Sequence, residues 1–359
     1  MTNLKRKRLL LYLVTFFYWF AQYVYNPYMT PYLLGLNISA SFAGVIVGMY
    51  GSTQLLCRLP LGLAADNKQK HKLYILLGAL LSATASLIRV LSQNPYALLS
   101  ANAISGVASS MWISFTILNS LYYEPHELSR SIGSINAVNN AGILAAYLLG
   151  GLFYQRFGMV LMFWMSLISL FIVDEPPKPN PLPVRQLLRV VGQRRLIVYS
   201  LLAALFQFIV FATSNSFYNT VIQNIGVTSI QLSICSALFT FAGVLSSYFV
   251  GTKRAAAIGE TRLAVIGFSL LALYCFLLPQ MKSFFGMTVM QFLGGCGGTS
   301  VFSLFLQSVY AIGIMAGPSV MGTLIDWFRI TPAFSIVGVV CVLTAAAYPL
   351  ISRFMRRAA

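Results

Sequence analysis

Charged residues are scarce in this sequence, and acidic residues are the scarcest. Only 9% of its 359 residues are Asp, Glu, Lys or Arg, and seven of these are acidic. A typical soluble domain carries about 25% charged residues. Together with an apolar content of 58% and a mean hydropathy of +0.78, this scarcity excludes an ordinary soluble domain and predicts an integral membrane protein.

The sequence also lacks the groupings of side chains that carry out catalysis or bind metals. The seven carboxylates fall at span ends or in loops, and His71 and His126 are placed in loops. The five cysteines lie inside apolar stretches without metal-ligand spacing, which is typical of small buried residues. No nucleophile is paired with a base, and no glycine loop suits a phosphate. We therefore expect no enzyme activity, no metal and no cofactor.

Long apolar stretches fill most of the chain. They run over about 18–27 residues, which is enough for a helix to cross a hydrocarbon core about 30 Å thick. The net charge of +17 would suit nucleic acid, but the basic residues lie between apolar stretches, as the positive-inside rule requires. The expected partner is therefore the lipid bilayer and not nucleic acid.

The apolar stretches predict an all-α protein with about twelve membrane-spanning helices. The spans are 9–36, 40–64, 73–92, 97–122, 131–155, 158–173, 197–223, 228–250, 263–280, 283–301, 302–326 and 331–352. The first continues without a small-residue cleavage site and is read as an uncleaved span. If the N-terminus lies inside, 20 of the 24 Lys and Arg residues fall on the cytoplasmic side. This predicts a multi-pass protein of the plasma (inner) membrane with both termini cytoplasmic.

The two halves of the chain repeat each other. Residues of similar type recur 189 positions apart, and residues 136–153 match 307–324 at an offset of 171. The pairs at 189 are Asn26 with Asn215, Gly62 with Gly251, Asn102 with Gln291, and Gly106 with Gly295. We therefore predict parallel six-helix bundles over 1–173 and 197–359, joined by a cytoplasmic linker, 174–196. Such repeats enclose a site near the bilayer midplane and transport by rocking.

The change of offset predicts a shortened tenth span. Eighteen residues (189 minus 171) are missing between Gln291 and Gln307. At 1.5 Å per residue, the remaining segment is too short for two full helices to reach the inner face and return. We expect a tight glycine turn at 294–300, "GGCGGTS".

The loop between the second and third spans carries the sharpest motif. An arginine, a glycine, an aspartate and a basic cluster follow one another there. They are Arg58, Gly62, Asp66, Lys68, Lys70 and Lys72. This motif, the two repeated halves and the basic central linker together resemble the major facilitator superfamily over the whole chain. The resemblance implies a gating motif here, with Arg130 at the start of the fifth span.

In physical terms, Asp66 can make a contact that one conformation has and another lacks. It can pair with Arg58 or Arg130, or lie against a helix N-terminus in the other half. Gly62 would let helices approach closely where the halves meet. The alternative is a loop that is merely solvated. The family's second loop glycine is Gln69 here, and the counterpart of Asp66 is Ala255, so a single latch of this type is expected.

Glycines in the fifth and eleventh spans are expected to serve helix packing. They are Gly142, Gly150 and Gly151 in the fifth span, and Gly313 and Gly317 followed by Pro318 in the eleventh. The resemblance associates the glycines of the fifth span with antiporters, although the antiporters' Gly-Pro pair is Ala146-Tyr147 here.

Polar side chains inside the spans are expected to line a substrate path. They are Gln22, Asn26, Thr30, Gln54, Asn102, Asn136, Asn139, Asn140, Gln207, Asn215, Asn219, Gln291 and Gln307. Amides in lipid are costly unless they face protein or water, and hydrogen bonding between helices is the alternative role. Arg89, near the outer end of the third span, either attracts an anion or snorkels to the interface.

The resemblance implies a secondary transporter that moves a small molecule by alternating access, and we expect a monomer. The glycines of the fifth span and the aromatic first span, "FFYWFAQYVYNPYMTPYL", favour efflux of an amphiphilic compound, although those rings also suit packing. Uptake of a polar or anionic metabolite through Arg89 is the alternative. The shortened tenth span leaves open a relative that does not transport.

Overall fold

The structure is a computed structural model that describes residues 3–68, 70–124, 127–168, 194–223, 225–250, 253–302 and 310–357. Every regular element in these ranges is helical, which confirms the all-α prediction. The helices are α1 Asn3–Tyr23, α2 Asn26–Gly35, α3 Ala40–Lys68, α4 His71–Leu91, α5 Pro95–Ser110, α6 Trp112–Ser120, α7 Leu128–Ile168, α8 Arg194–Ala212, α9 Tyr218–Gln223, α10 Ser229–Val250, α11 Lys253–Ile258, α12 Glu260–Leu277, α13 Phe284–Phe302, α14 Ala311–Phe328 and α15 Ile330–Arg357. Most of the predicted linker lies outside the described residues.

In the described ranges, nine helices are long and apolar enough to cross a membrane. One of them, Arg130–Leu167, contains the fifth predicted span and the first ten residues of the sixth. It is broken at Gly158, whose φ of +69° is a conformation that glycine adopts without strain. The total of twelve spans stays a prediction.

The first and seventh predicted spans are interrupted at matching places. α1 ends at Tyr23 because the ring of Pro27 would clash with the carbonyl of residue 23, and Pro27 fits the first turn of α2 instead. Between α8 and α9 the chain forms a π-helical turn, Thr213–Phe217. Residues 24–28 and 213–217 are related by the offset of 189. Both repeats therefore depart from a regular α-helix at the same point of their first span.

The described residues fall into two compact units. Unit 1 is drawn from Met1–Asn26 and Met49–Val191, and unit 2 from Pro27–Gly48 and Gly192–Ala359. This division differs from the repeat in one segment, since Pro27–Gly48 belongs to the first repeat by sequence and packs in unit 2.

Each unit contains the same close helix contact. A Cβ atom on Gly106 would lie 2.1 Å from the carbonyl oxygen of Tyr50, and one on Gly295 would lie 2.3 Å from that of Phe239. The two pairs are related by the offset of 189. Small residues allow membrane helices to approach this closely, so both repeats pack their second and fourth spans in the same way.

The glycine turn predicted in the tenth span is wrong. α13 runs without a break through residues 294–300. Its glycines instead allow close packing: a Cβ atom on Gly297 would lie 2.8 Å from the carbonyl oxygen of Gly267. The described part of this span has 19 residues, and the predicted shortening of the span stays a prediction. Residues 303–309, which lead to α14, lie outside the described residues.

Candidate functional site

Arg89 forms the centre of a buried polar cluster in unit 1. It lies in the last turn of α4 and is 1% exposed. Its Nη2 atom donates to Asn102 Oδ1 and to Ser105 Oγ, each at 2.8 Å. Its guanidinium carbon lies 4.3 Å from the centroid of the Tyr25 ring. We call Tyr25, Arg89, Asn102 and Ser105 the Arg89 cluster. The burial of Arg89 excludes snorkelling.

The Arg89 cluster holds a positive charge without a counter-charge. In the described part of the chain, no carboxylate lies within ion-pair distance of Arg89, and its Nε atom has no hydrogen-bond partner. Arginine stays protonated in proteins, and a buried charge is costly unless it is paired or hydrogen-bonded. The amide, the hydroxyl and the ring offset part of this cost. The unused donor is suited to a carboxylate or phosphate.

Tyr25 reaches Arg89 because the first span is interrupted at this point. Tyr25 is one of the two residues between α1 and α2, and its ring also contacts Phe163 edge-on, with the centroids 5.8 Å apart. Interrupted helices next to buried polar groups form the substrate sites of many transporters. The Arg89 cluster combines both features.

Two further predicted amides lie buried in unit 1. Gln22 Nε2 donates to Ser82 Oγ at 3.3 Å, and Gln54 Nε2 donates to Ser109 Oγ at 3.0 Å. The Oε1 atoms of both glutamines have no hydrogen-bond partner among the described residues. Each amide therefore joins two helices and keeps an unused acceptor.

Unit 2 contains a neutral cluster around Tyr274. Ser214 Oγ donates to the Tyr274 hydroxyl at 3.0 Å, and Gln291 Nε2 lies 3.5 Å from the same oxygen. We call these three residues the Tyr274 cluster. Ser214 and Gln291 are the repeat counterparts of Tyr25 and Asn102. Each unit thus carries a buried polar cluster at the same place in its first and fourth spans.

The π-helical turn in unit 2 is followed by polar atoms without partners. Ser216 is 0% and Asn219 is 2% exposed. Among the described residues, Ser216 Oγ, Asn219 Oδ1 and Thr220 Oγ1 have no hydrogen-bond partner. Residues three and four apart share one face of a helix, and π-helical turns are frequent at functional sites. This face can offer hydrogen bonds to a polar solute.

The remaining predicted path residues occupy mixed environments. Thr30 is buried, whereas Asn26, Gln207 and Asn215 are half-buried. Asn136 is exposed, Asn139 and Asn140 are half-buried, and Asn140 Nδ2 donates to the Asn136 carbonyl one turn earlier at 2.9 Å. Gln307 lies outside the described residues. The structure therefore does not bring the three asparagines of the fifth span into either cluster.

The predicted gating residues lie in unit 1. Asp66 Oδ1 is 3.9 Å from His71 Nε2, and Arg130 Nη1 donates to Glu127 Oε1 at 2.9 Å. Arg58 is half-buried and Lys70 is exposed. A Cβ atom on Gly62 would lie 3.1 Å from Ile113 Cδ1 of the same unit.

The sequence-based placement of His71 in a loop is wrong. His71 is the first residue of α4 and is 3% exposed, because only residues 69 and 70 separate the end of α3 from the start of α4. His126, the second histidine placed in a loop, lies outside the described residues.

The predicted packing glycines lie close to neighbouring backbones where their surroundings are described. A Cβ atom on Gly142 would lie 2.4 Å from the carbonyl oxygen of Phe16. One on Gly313 would lie 2.0 Å from that of Ala204, and one on Gly317 would lie 2.5 Å from that of Phe208. Gly150, Gly151 and Pro318 are buried.

The aromatic rings of the first span pack against one another and against neighbouring helices. Tyr18 contacts Phe115 and Trp19 contacts Trp112, with ring centroids 5.0 and 5.3 Å apart. Tyr23 and Tyr147 are 6.2 Å apart. These rings fill the core of unit 1, which reduces the surface they can offer to a solute.

The side chains of the two clusters offer hydrogen-bond donors and acceptors, and the Arg89 cluster adds a cation. Among the described residues, no three His, Cys, Asp or Glu side chains come together as a metal ion would require.

Repeated helical units with interrupted first spans and buried polar clusters define a multi-pass membrane transporter. The Major Facilitator Superfamily model matches residues 11–310 of the chain. The chain belongs to this family, as the loop motif and the repeat predicted.

The chain is similar to parts of several curated transporters. It is 26% identical over 143 residues to the inner membrane transport protein YajR of Escherichia coli, covering 40% of this chain and 31% of YajR. It is 27% identical over 149 residues to an uncharacterised transporter of Buchnera aphidicola, covering 41% and 38%. An uncharacterised MFS-type transporter of Mycobacterium tuberculosis is 25% identical over 206 residues, covering 51% and 49%. The chain thus spans about half or less of the length of these relatives.

Solved structures show the same fold along nearly the whole chain. A point mutant of the nucleoside transporter NupG has a TM-score of 0.75 at 14% identity, covering 97% of this chain and 99% of that one. A bacterial homologue of the peptide transporters PepT1 and PepT2 has a TM-score of 0.76 at 14% identity, with both chains covered completely, 100% each.

Sequence reasoning missed four residues of the clusters. Tyr25 had a signal, since the Asn26-Pro27 pair marks a chain turn. Ser105 lies about one helical turn after the predicted amide Asn102, and Ser214 directly precedes the predicted amide Asn215. Tyr274 has Ala85 as its repeat counterpart, so neither composition nor the repeat indicates its role.

Proposed function

We propose that the chain is a permease of the inner membrane, with both termini cytoplasmic, that takes up a small organic anion by alternating access. The single observation behind this proposal is the buried guanidinium of Arg89, which has an unused donor and no carboxylate partner among the described residues. A carboxylate or phosphate of the solute would supply the missing counter-charge. This offsets the cost of burying Arg89 only when solute is bound.

The position of Arg89 supports uptake. It lies in the last turn of α4, which is the outer end of the third span in the orientation set by the basic residues. A solute that arrives from outside would meet this charge early. The second repeat, considered by itself, has polar atoms without described partners at Ser216, Asn219 and Gln291.

Efflux of an uncharged amphiphile is the second candidate. The close contact of Gly142 with the Phe16 backbone is the observation that favours efflux. Gly142 belongs to the glycine pattern of the fifth span that resembles antiporters, and this contact uses it for close helix packing. The rings of the first span argue against it, since they are occupied by packing.

Flux into and out of proteoliposomes separates the two candidates. The purified chain would be offered carboxylic acids, phosphate esters and uncharged amphiphilic dyes, with gradients in both directions. Uptake of an anion should fall about 100-fold or more in Arg89→Leu, because the loss of a buried charged hydrogen bond of about 3 kcal/mol is roughly two factors of ten. Arg89→Lys, which keeps the charge, should retain part of the flux.

The proposal is wrong if the transported solute is uncharged, or if Arg89→Leu moves an anion with an unchanged KM and rate. Labelling of single cysteines at Asn26 and Asn215 from each side tests transport itself. Alternating access requires both positions to become reactive from both sides, and a relative that does not transport would keep one pattern.

A further inference from the structure

The start of α3 is capped by a carboxylate from a distant part of the chain. The backbone N–H groups of Ala40 and Ser41 donate to Asp326 Oδ1 and Oδ2 at 3.1 and 2.8 Å, and the Ser41 hydroxyl also donates to Oδ2. The first N–H groups of a helix have no partner within the helix, and a negative charge is favourable there. Asp326 lies 285 residues away from Ser41, in α14.

Three glycines hold α3 and α14 in direct backbone contact beside this cap. A Cβ atom on Gly44 would lie 2.1 Å from the carbonyl oxygen of Pro318, and one on Gly48 would lie 2.5 Å from that of Met315. On the other helix, a Cβ atom on Gly322 would lie 2.1 Å from the Ala40 carbonyl oxygen. One long hydrogen bond accompanies these backbone contacts, from Ser319 Oγ to the Gly44 carbonyl oxygen at 3.4 Å. Asp326 accepts three shorter hydrogen bonds from the start of α3.

The same segment makes a second contact with the later part of the chain. The hydroxyl groups of Tyr28 in α2 and Ser233 in α10 are hydrogen-bonded and buried. The segment Pro27–Gly48 begins directly after the interruption of the first span and belongs to unit 2. A segment of the first repeat is therefore held by elements of the second, and it is bounded by a break in the helix.

We propose that Asp326 and the start of α3 form a latch on the outer side of the membrane that holds the transporter closed there. The inference rests on the proposed alternating access, since opening to the outside requires α3 of the first repeat to separate from α14 of the second. Asp326 is the element that releases: its bonds to Ser41 are exposed, so water can replace them. Separating the glycine contacts then breaks the longer Ser319–Gly44 hydrogen bond as well.

Hydrogen–deuterium exchange of the full chain in nanodiscs, without any solute, tests the latch. Asp326→Asn removes the charge and one acceptor. Loss of a cap of this kind should raise the opening equilibrium about five- to thirty-fold, and exchange should rise together in Ala40–Gly48 and in Ala311–Phe328. Ser41→Ala removes only the hydroxyl bond and should cause a smaller rise in the same two segments. Glu124→Gln, which removes an exposed carboxylate of unit 1, is the matched control and should change neither.

A joint rise in both segments supports the latch. A rise in exchange confined to residues 40–43 would mean that Asp326 only caps α3. Unchanged exchange would mean that Asp326 does not stabilise the contact between α3 and α14. Either result overturns the proposal. Because no solute is used, failure here leaves the Arg89 flux experiment untouched, and absence of transport would not by itself alter the exchange result.

Discussion

The Arg89 cluster and the Tyr274 cluster occupy corresponding places in the two repeats but differ in charge. Counterparts at an offset of 189 are Tyr25 with Ser214, Asn102 with Gln291, Arg89 with Leu278, and Ser105 with Gly294. Where Ser105 accepts a bond from Arg89, Gly294 leaves room for the Tyr274 ring, 2.8 Å from where a Cβ atom would lie. The repeat therefore preserves the location of a polar cluster and not its chemistry.

A related asymmetry appears at two further hydrogen-bonded pairs of side chains. The bonded pairs of unit 1, Gln22 with Ser82 and Gln54 with Ser109, have apolar or glycine counterparts in the second repeat. Those counterparts are Phe211, Leu271, Gly243 and Gly298. Buried charge and amides are costly in a membrane and persist where they serve a purpose. Under the proposed function, the first repeat would recognise the charge of the solute.

Exchanging the residues at positions 89 and 278 should give the largest difference in the free energy of unfolding. Leu278 is 0% exposed, and Leu278→Arg would bury a charge without the amide and hydroxyl that Arg89 has. We expect a loss of at least about 3 kcal/mol in the free energy of unfolding. The free energy of unfolding of Arg89→Leu should stay within about 1 kcal/mol of the wild-type value or exceed it, since the substitution removes a buried charge without a counter-charge among the described residues. SDS titration of the purified proteins measures both; equal losses would show that the two positions are equivalent.

The matching glycines should respond equally to a methyl group. Gly106→Ala and Gly295→Ala each place a Cβ atom within 2.3 Å of a backbone carbonyl oxygen, and each should cost about 3 kcal/mol. Gly133→Ala is the control, because nothing lies within 4 Å of its Cβ position. Thermal unfolding in detergent compares the three. A loss at one glycine alone would argue against equivalent packing in the two repeats.

Removing the amide side chain from each cluster should lower the free energy of unfolding by smaller amounts, and the two amounts should differ. Asn102→Leu leaves Arg89 with Ser105 as its remaining described acceptor and should cost about 2 kcal/mol, because the lost bond involves a charged group. Gln291→Leu should cost about 1 kcal/mol or less, since Tyr274 keeps its bond to Ser214. The same SDS titration measures the difference, and a larger loss for Gln291→Leu would place the critical cluster in the second repeat.

The clusters were partly predictable. Arg89, Asn102, Gln291 and the first-span amides stood out because a polar residue in an apolar stretch is a strong signal. That Arg89 bonds to Asn102 was not predictable, since the bond depends on how the third and fourth spans pack. The glycines at 294–300 were misread as a turn because glycine marks both chain turns and close helix contacts, and spacing alone does not separate the two.

By itself, the sequence determined that this chain is a helical membrane protein with an internal repeat and a family-specific loop. Hydropathy, basic residues and motif spacing are local properties, and local properties can be read along a chain. Only the tertiary structure decided that Arg89 is buried without a counter-charge among the described residues, that Tyr274 completes the second cluster, and that Asp326 caps a helix at the opposite end of the chain. Each of these depends on which helix faces meet, and that choice is made by packing over the whole molecule.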